Sequence, residues 1–274
     1  MTKNLLQQVM MKKVDLEKTH AFDVSGMAEK INSGYLVGRD SKFNKKKTFA
    51  PSSITYSDGN GVCPRYWYLA FDGAEFTNSD TPFGVANMTS GIDSHSRIQK
   101  AMMLSGIAKI FKDENNEDTT EFKVIYSDPP IFGFGDCMIS WNGEDIVGEI
   151  KTTNNETFEY RKKAGKPKTD HIEQALIYMK ILNKSKGVII YENKNNHDLL
   201  LFPIEVNDHY RKWIDNTFSW MQTVYSSWKN RTLPNTNYRS NAKICKGCPI
   251  KETCDNAGTG AISIPSLEGL SEAM

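Results

Sequence analysis

Along this chain, stretches with strand-like alternation of apolar and polar residues are interleaved with stretches of helical spacing. Residues 121–126, 131–141 and 145–152 read as strands. The last two flank Asn142-Gly143, the strongest short-range hairpin signal. Residues 90–111 predict a helix that Asp93 or Ser94 can cap. Residues 170–182 predict another, opened by a capping box of Asp170 and Glu173. Its apolar side chains run nearly all round, so it is expected to be buried, with Glu173 and Lys180 marking its solvent side. Residues 187–191 form a short apolar run suited to a covered central strand, and 199–206 a further strand. Residues 208–230 predict a long amphipathic helix. Its Trp213, Thr217, Trp220, Val224 and Trp228 keep helical spacing, which favours core packing over base stacking.

The order helix, three strands, helix, strand implies an antiparallel meander followed by a right-handed parallel crossover. An α/β fold follows, with a mixed central sheet and flanking helices on both faces. Residues 1–50 read as a helical, basic N-terminal region. Residues 51–90 lead through Cys63 into the aromatic run Tyr66, Trp67, Tyr68 and Phe71, for which core packing is favoured over stacking on bases. The small-residue tail 256–274 is expected to be loose. No internal repeat is visible.

The 274 residues are 39% hydrophobic and 24% charged, with a net charge of +1. That composition excludes disordered, collagenous and coiled-coil chains. No apolar run approaches the roughly 18 residues of a membrane span, and the amino end does not resemble a secretory signal. A cytoplasmic location is expected, or a host cytoplasm for a phage-encoded protein. Its five cysteines then point to metal or cluster ligation more than to disulfides. The neutral total hides two basic runs, residues 39–47 and 161–168, and an acidic one at 112–121. Solvated loops explain such runs unless they border a chemical site, where they suit phosphates.

A two-residue turn at Asn142-Gly143 places Met138 opposite Val147, Asp136 opposite Glu149 and Phe134 opposite Lys151. Asp136, Glu149 and Lys151 then share one sheet face, while Ile139, Ile146 and Ile150 collect on the other. Two carboxylates facing each other beside apolar residues destabilise a sheet unless their charge is offset. A divalent cation does that; an ion pair between Lys151 and Glu149 does it without metal. Gln174 and Tyr178 lie four apart on one helix face. His95, near the start of its helix, is a further ligand candidate. Cys245, Cys248 and Cys254 form a Cys-x2-Cys-x5-Cys group, with Cys63 far upstream and Cys137 placed in the core. One knuckle with one offset and one distant cysteine suits a cubane iron–sulfur cluster better than a zinc ribbon.

Gly135-Asp136, Glu149-Ile150-Lys151 and Gln174-Ala-Leu-Ile-Tyr178, preceded by a helix bearing His95, resemble the PD-(D/E)XK nuclease superfamily. The likeness is greatest to the iron–sulfur RecB-like exonucleases, including the CRISPR-associated ones, and covers roughly residues 50–255. It implies a restriction-endonuclease-like core over 91–230. Segments 51–90 and 231–255 would bind a 4Fe-4S cluster through Cys63, Cys245, Cys248 and Cys254. It further implies that His95, Asp136, Glu149 and the Ile150 carbonyl bind Mg²⁺ or Mn²⁺, that Lys151 assists the attacking water, and that Gln174 and Tyr178 orient the site or the strand. The family often carries an acid four residues after the histidine; here Gln99 stands there and receives no metal role. The implied activity is a metal-dependent DNA exonuclease acting on single strands or DNA ends. The alternative is a non-catalytic iron–sulfur or zinc scaffold that binds nucleic acid.

Overall fold

A computed structural model describes residues 23–39, 45–54, 60–77 and 80–270. The expected N-terminal helical region and its basic run fall partly outside these residues, Lys42 included. The chain divides into two compact units, Met1–Ser41 with Asn78–Ser90, and Lys42–Thr77 with Gly91–Met274. In the first, α1 spans Val24–Gly34, and the Asp23 carboxylate caps it by accepting from the Gly26 amide at 2.8 Å.

In the larger unit α2 is Pro51–Ile54 and α3 is Pro64–Asp72. Helix α4, Pro82–Ser105, enters this unit at Gly91. It begins well before the expected start at residue 90, with Thr81 accepting from the Gly84 amide and Pro82 in the first turn. Asp93 and Ser94 therefore lie inside the helix and do not cap it. The strands are β1 Phe111–Lys112, β2 Asp118–Thr119, β3 Phe122–Ser127, β4 Pro130–Gly135, β5 Cys137–Trp141 and β6 Glu144–Thr153. Helices α5 Asn155–Ala164 and α6 Thr169–Ile181 follow, then β7 Lys186–Asn193, β8 Leu199–Glu205 and the long α7 Asp208–Lys229. Short α8 Lys243–Lys246 and α9 Lys251–Asn256 carry Cys245 and Cys254, with Cys248 between them.

The main sheet runs β5-β6-β7-β8, with β6 and β7 parallel and both outer pairs antiparallel. The mixed sheet and the parallel β6–β7 pairing match expectation. One strand does not. Residues 131–141 form two strands broken at Asp136, and β4 pairs with β3 in a separate hairpin. Phe134 accordingly faces Lys123, not Lys151.

Helix α6 buries Ala175, Leu176, Ile177 and Met179 on one side of the sheet. Tyr66, Trp67, Tyr68 and Phe71 of α3 are buried too, and Phe71 meets Tyr225 and Trp228 of α7 edge-on or tilted. On the other face Ile98 and Met102 of α4 cover Cys137, Ile139, Ile150 and Ile190. That cover is partial, and leaves a groove of about 900 Å³ over Ile146, Val188, Leu199 and Leu201.

The capping box expected for α6 does not form. Lys168 occupies the cap position, its ammonium donating to Asp170 at 2.6 Å and not capping the helix, and Glu173 is 2% exposed, accepting from the Leu270 amide at 2.6 Å. Lys180 is exposed as expected, but at Glu173 the supposed solvent side of α6 lies instead under the C-terminal segment. There Ile264, Leu267 and Leu270 are buried, and Trp213 and Trp220 donate to the carbonyls of Glu268 and Pro265. Small-residue composition predicts a loose tail; three well-spaced apolar anchors and the indole donors make 258–270 a packed strap.

Candidate metal centre and cysteine pocket

Asn142 and Gly143 both take positive φ, 52° and 81°, as the tight hairpin turn requires. The register is the one the turn predicts, with Met138 opposite Val147 and Cys137 opposite Gly148. Asp136 lies one residue beyond the ladder, at the bend. Its Oδ2 accepts from the Ile150 amide at 2.6 Å, which draws the carboxylate onto the backbone next to Glu149. Its Oδ1 lies 3.6 Å from His95 Nδ1.

The Asp136 carbonyl accepts from both Gln99 Nε2 and Thr120 Oγ1 at 2.9 Å. His95 and Gln99 sit one turn apart on α4, so one helix face approaches the Asp136 carboxylate and holds its backbone. Gln99, without a metal role, is thus part of the scaffold of the site. Its i,i+4 relation to His95 was the available signal. Thr120 carried none.

Glu149 and Lys151 alternate on β6 and share a face, as expected. Lys151 Nζ lies 2.6 Å from Glu149 Oε1 and donates to Gln174 Oε1 at 3.2 Å. Gln174 Nε2 is 3.5 Å from the Tyr178 hydroxyl, which donates to the Phe134 carbonyl at 2.8 Å. The structure therefore brings together His95, Asp136, Glu149, Lys151, Gln174 and Tyr178. Ile150 contributes its amide to Asp136, and its side chain is fully buried.

Glu149 is 1% exposed, and its Oε2 has no hydrogen-bond partner among the described residues. Burial, and then the charge of Asp136, push its carboxyl well above the usual range, against the pull of Lys151. Burial pulls His95 down, but its contact with Asp136 outweighs this and raises it overall. Lys151 likewise rises because Glu149 outweighs burial. His171, which carried no expectation, lies nearby. Burial, then the Lys151 charge, depress it. The Tyr191 hydroxyl accepts from the Lys168 amide at 3.0 Å and lies 2.7 Å from His171 Nδ1.

The basic run beyond β6 is not a loop throughout. Asn154 caps α5 by accepting from the Thr157 amide, and Arg161, Lys162 and Lys163 occupy its last turn before Gly165 at φ +64°. Lys45 and Lys46 lie over the rings of Trp228 and Trp67.

Cys63, Cys245, Cys248 and Cys254 line one cavity of about 130 Å³, far more than a single water requires. Burial pushes Cys63 up to about 11, with Cys254 and Cys248 adding to it. Burial also raises Cys245 and Cys248. Cys137 is fully buried against Ile139 and Ile150, away from this pocket.

No protein-family model matches the chain, and no curated protein matches it. Among solved structures, an alkaline exonuclease, LHK-Exo from Laribacter hongkongensis, is 15% identical at a TM-score of 0.48 over 67% of this chain and 91% of that one. Its complex with dAMP gives 0.47 at the same identity, over 67% and 89%. SSO0001 gives 0.43 at 15% identity, over 85% and 98%. At these scores the likeness carries no inference about the chemistry.

Proposed function

We propose that this chain is a divalent-metal-dependent deoxyribonuclease, acting as an exonuclease on DNA. The observation that carries the reading is Glu149 Oε2, a buried carboxylate oxygen without a partner among the described residues, grouped with Asp136 and His95. An unpartnered buried anion costs several kcal/mol, at order of magnitude, unless a cation joins it. Among the described residues no three His, Cys, Asp or Glu side chains are drawn together closely enough to hold a metal ion, but the donor types grouped here suit a hard divalent one. His95, Asp136, Glu149 and the Ile150 carbonyl would hold Mg²⁺ or Mn²⁺. Such an ion supplies Lewis acidity at a phosphoryl oxygen and makes water more acidic. Lys151, fixed between Glu149 and Gln174, would orient the attacking water and offset negative charge developing on the phosphoryl group. Gln174 and Tyr178 would hold Lys151 and the β4 backbone in register. Arg161, Lys162 and Lys163, a short way beyond Lys151 along the chain, would receive DNA phosphates, so binding should weaken steeply with salt.

Four cysteines line one cavity, though no three of them are arranged to hold a metal ion among the described residues; their shared lining supports a ligated group there, a 4Fe-4S cluster in this reading or zinc in its nearest rival. Iron, sulfide and zinc content of anaerobically purified protein separates them.

One contact favours a second reading. The 2.6 Å Lys151–Glu149 ion pair offsets part of the buried charge without metal, as it would in a non-catalytic nucleic-acid scaffold. Incubation with end-labelled linear DNA and Mn²⁺ decides. The nuclease reading expects progressive loss of the ends by wild type and at least about a hundredfold slower loss for Lys151→Ala and Glu149→Ala. Intact DNA with wild type, or undiminished digestion by both variants, overturns it.

A further inference from the structure

The β3–β4 hairpin turns an aromatic face outward beside the carboxylates. On its inner face Val124 and Ile131 are buried, and a Cβ on Gly133 would come within 3.1 Å of Pro51 and 3.5 Å of the Tyr178 hydroxyl. The outer face carries Lys123 and Ile125 opposite Phe134 and Phe132. Phe134 is 52% exposed, Phe132 37% and Ile125 64%. The two phenylalanine rings meet edge to face at 5.3 Å, and Lys123 Nζ stands 5.4 Å from the Phe132 ring centre. A pair kept only to stabilise the hairpin gains more by facing the core, since exposed aromatic faces forfeit their burial.

Its position is tied to the candidate metal centre. Phe134 precedes Asp136 by two residues, about 6.6 Å of extended chain. Its carbonyl accepts from Tyr178, the tyrosine that also meets Gln174. The backbone on the other side is held as well, since the Phe132 amide donates to the Phe49 carbonyl at 3.0 Å and the Phe49 amide to Pro130 at 2.8 Å. An exposed aromatic step is thus fixed at a short distance from Asp136 and carries a cation above one ring.

We infer that Phe132 and Phe134, with Lys123, form a stacking platform for unpaired bases of a single DNA strand whose backbone leads to Asp136 and Glu149. This rests on the nuclease reading and adds to it the state of the substrate. Exposed rings offer π-faces to any base, which makes the contact tolerant of sequence. Paired bases in a duplex keep their faces stacked on one another and cannot use it. Lys123 supplies the charge that a phosphate track and cation–π contact need.

The test is fluorescence anisotropy of a labelled oligothymidylate and an abasic strand of equal length, with Ca²⁺ replacing Mn²⁺ so that binding is read without turnover. Wild type should bind the base-bearing strand about tenfold or more tightly than the abasic one. Phe134→Ala and Phe132→Ala should each remove most of that preference and leave abasic affinity unchanged. Phe134→Tyr should keep it. Phe134→Leu, which preserves the apolar strand and removes the ring, should behave like the alanine variant even if the latter folds poorly. Equal wild-type affinity for the two strands overturns the platform, as does equal loss on both strands or a lowered melting temperature with binding unchanged. Sedimentation showing that these substitutions split a wild-type dimer also overturns it, because the face would then be a self-association surface. Wild type that digests DNA yet shows no base preference leaves the nuclease reading standing. Wild type that neither binds nor digests any strand removes both.

Discussion

Glu149 and Lys151 make opposing demands on one pocket. The carboxylate is buried with one oxygen satisfied by the ammonium and the other by nothing described. Glu149→Gln keeps the shape and removes the charge, so the melting temperature of the metal-free protein should hold or rise while DNA digestion is lost. A fall of several degrees would make Glu149 a structural partner of Lys151. Lys151→Ala leaves the carboxylate alone, and an ion pair broken on one side costs about 3–5 kcal/mol when buried. Here the loss should be smaller, because burial raises the Glu149 carboxyl and lets it take up a proton once Lys151 is gone. Urea unfolding near neutral and at mildly alkaline pH should show the Lys151→Ala deficit growing as pH rises.

At the scale of elements, the C-terminal strap and α6 share Glu173. Burial pushes its carboxyl up to about 7, opposed by the Leu270 amide and reinforced by Asp170. A carboxyl raised from 4.5 in the unfolded chain stabilises the fold fully below that value, and this contribution is lost as pH rises toward 7. His171, depressed in the fold, acts in the opposite sense and weakens the fold as pH drops below its ordinary 6.5. Glu173→Gln isolates the first effect. The variant should gain on wild type as pH climbs from about 5 to about 8, and parallel melting curves across that range would discount a titrating Glu173. Ending the chain at Gly258 removes three buried anchors at about 1.5–3 kcal/mol each. The melting temperature should fall by on the order of 10 °C, with red-shifted tryptophan emission as Trp213 and Trp220 lose their cover. An unchanged melt would mean that the strap follows the fold without supporting it.

Over the whole molecule, residues far apart in sequence meet around the cysteine pocket. Arg65, 1% exposed and two residues after Cys63, donates to the carbonyls of Pro234, Cys254 and Gly258. The Thr77 amide donates to Pro249 and the Leu267 amide to Val62. A cluster ligated by Cys63 and the distal three would close a very long loop, where a cross-link constrains the unfolded chain most. Removing it by chelation or oxidation should lower the melting temperature by several degrees and bleach any absorbance in the visible blue. Equal midpoints with and without the group would rule out a clamp.

Much of this was legible in residue order because it depends on short-range rules. Asn142-Gly143 dictates a left-handed two-residue turn, and that turn sets the β5–β6 register, while strand alternation puts Glu149 and Lys151 on one face. Helical spacing likewise identified α6 and α7, and the x-x-x step from Gln174 to Tyr178 put both on one side. The break at Asp136 was not legible, since 131–141 alternates as one strand would. Only the packing of β4 on Phe49, Pro51 and Tyr178, and the pull of the Ile150 amide on the Asp136 carboxylate, parts the two strands. The fate of Glu173 and of the strap depended on distant partners in the same way: local composition reports what a segment can bury, and the tertiary fold decides what arrives to bury it.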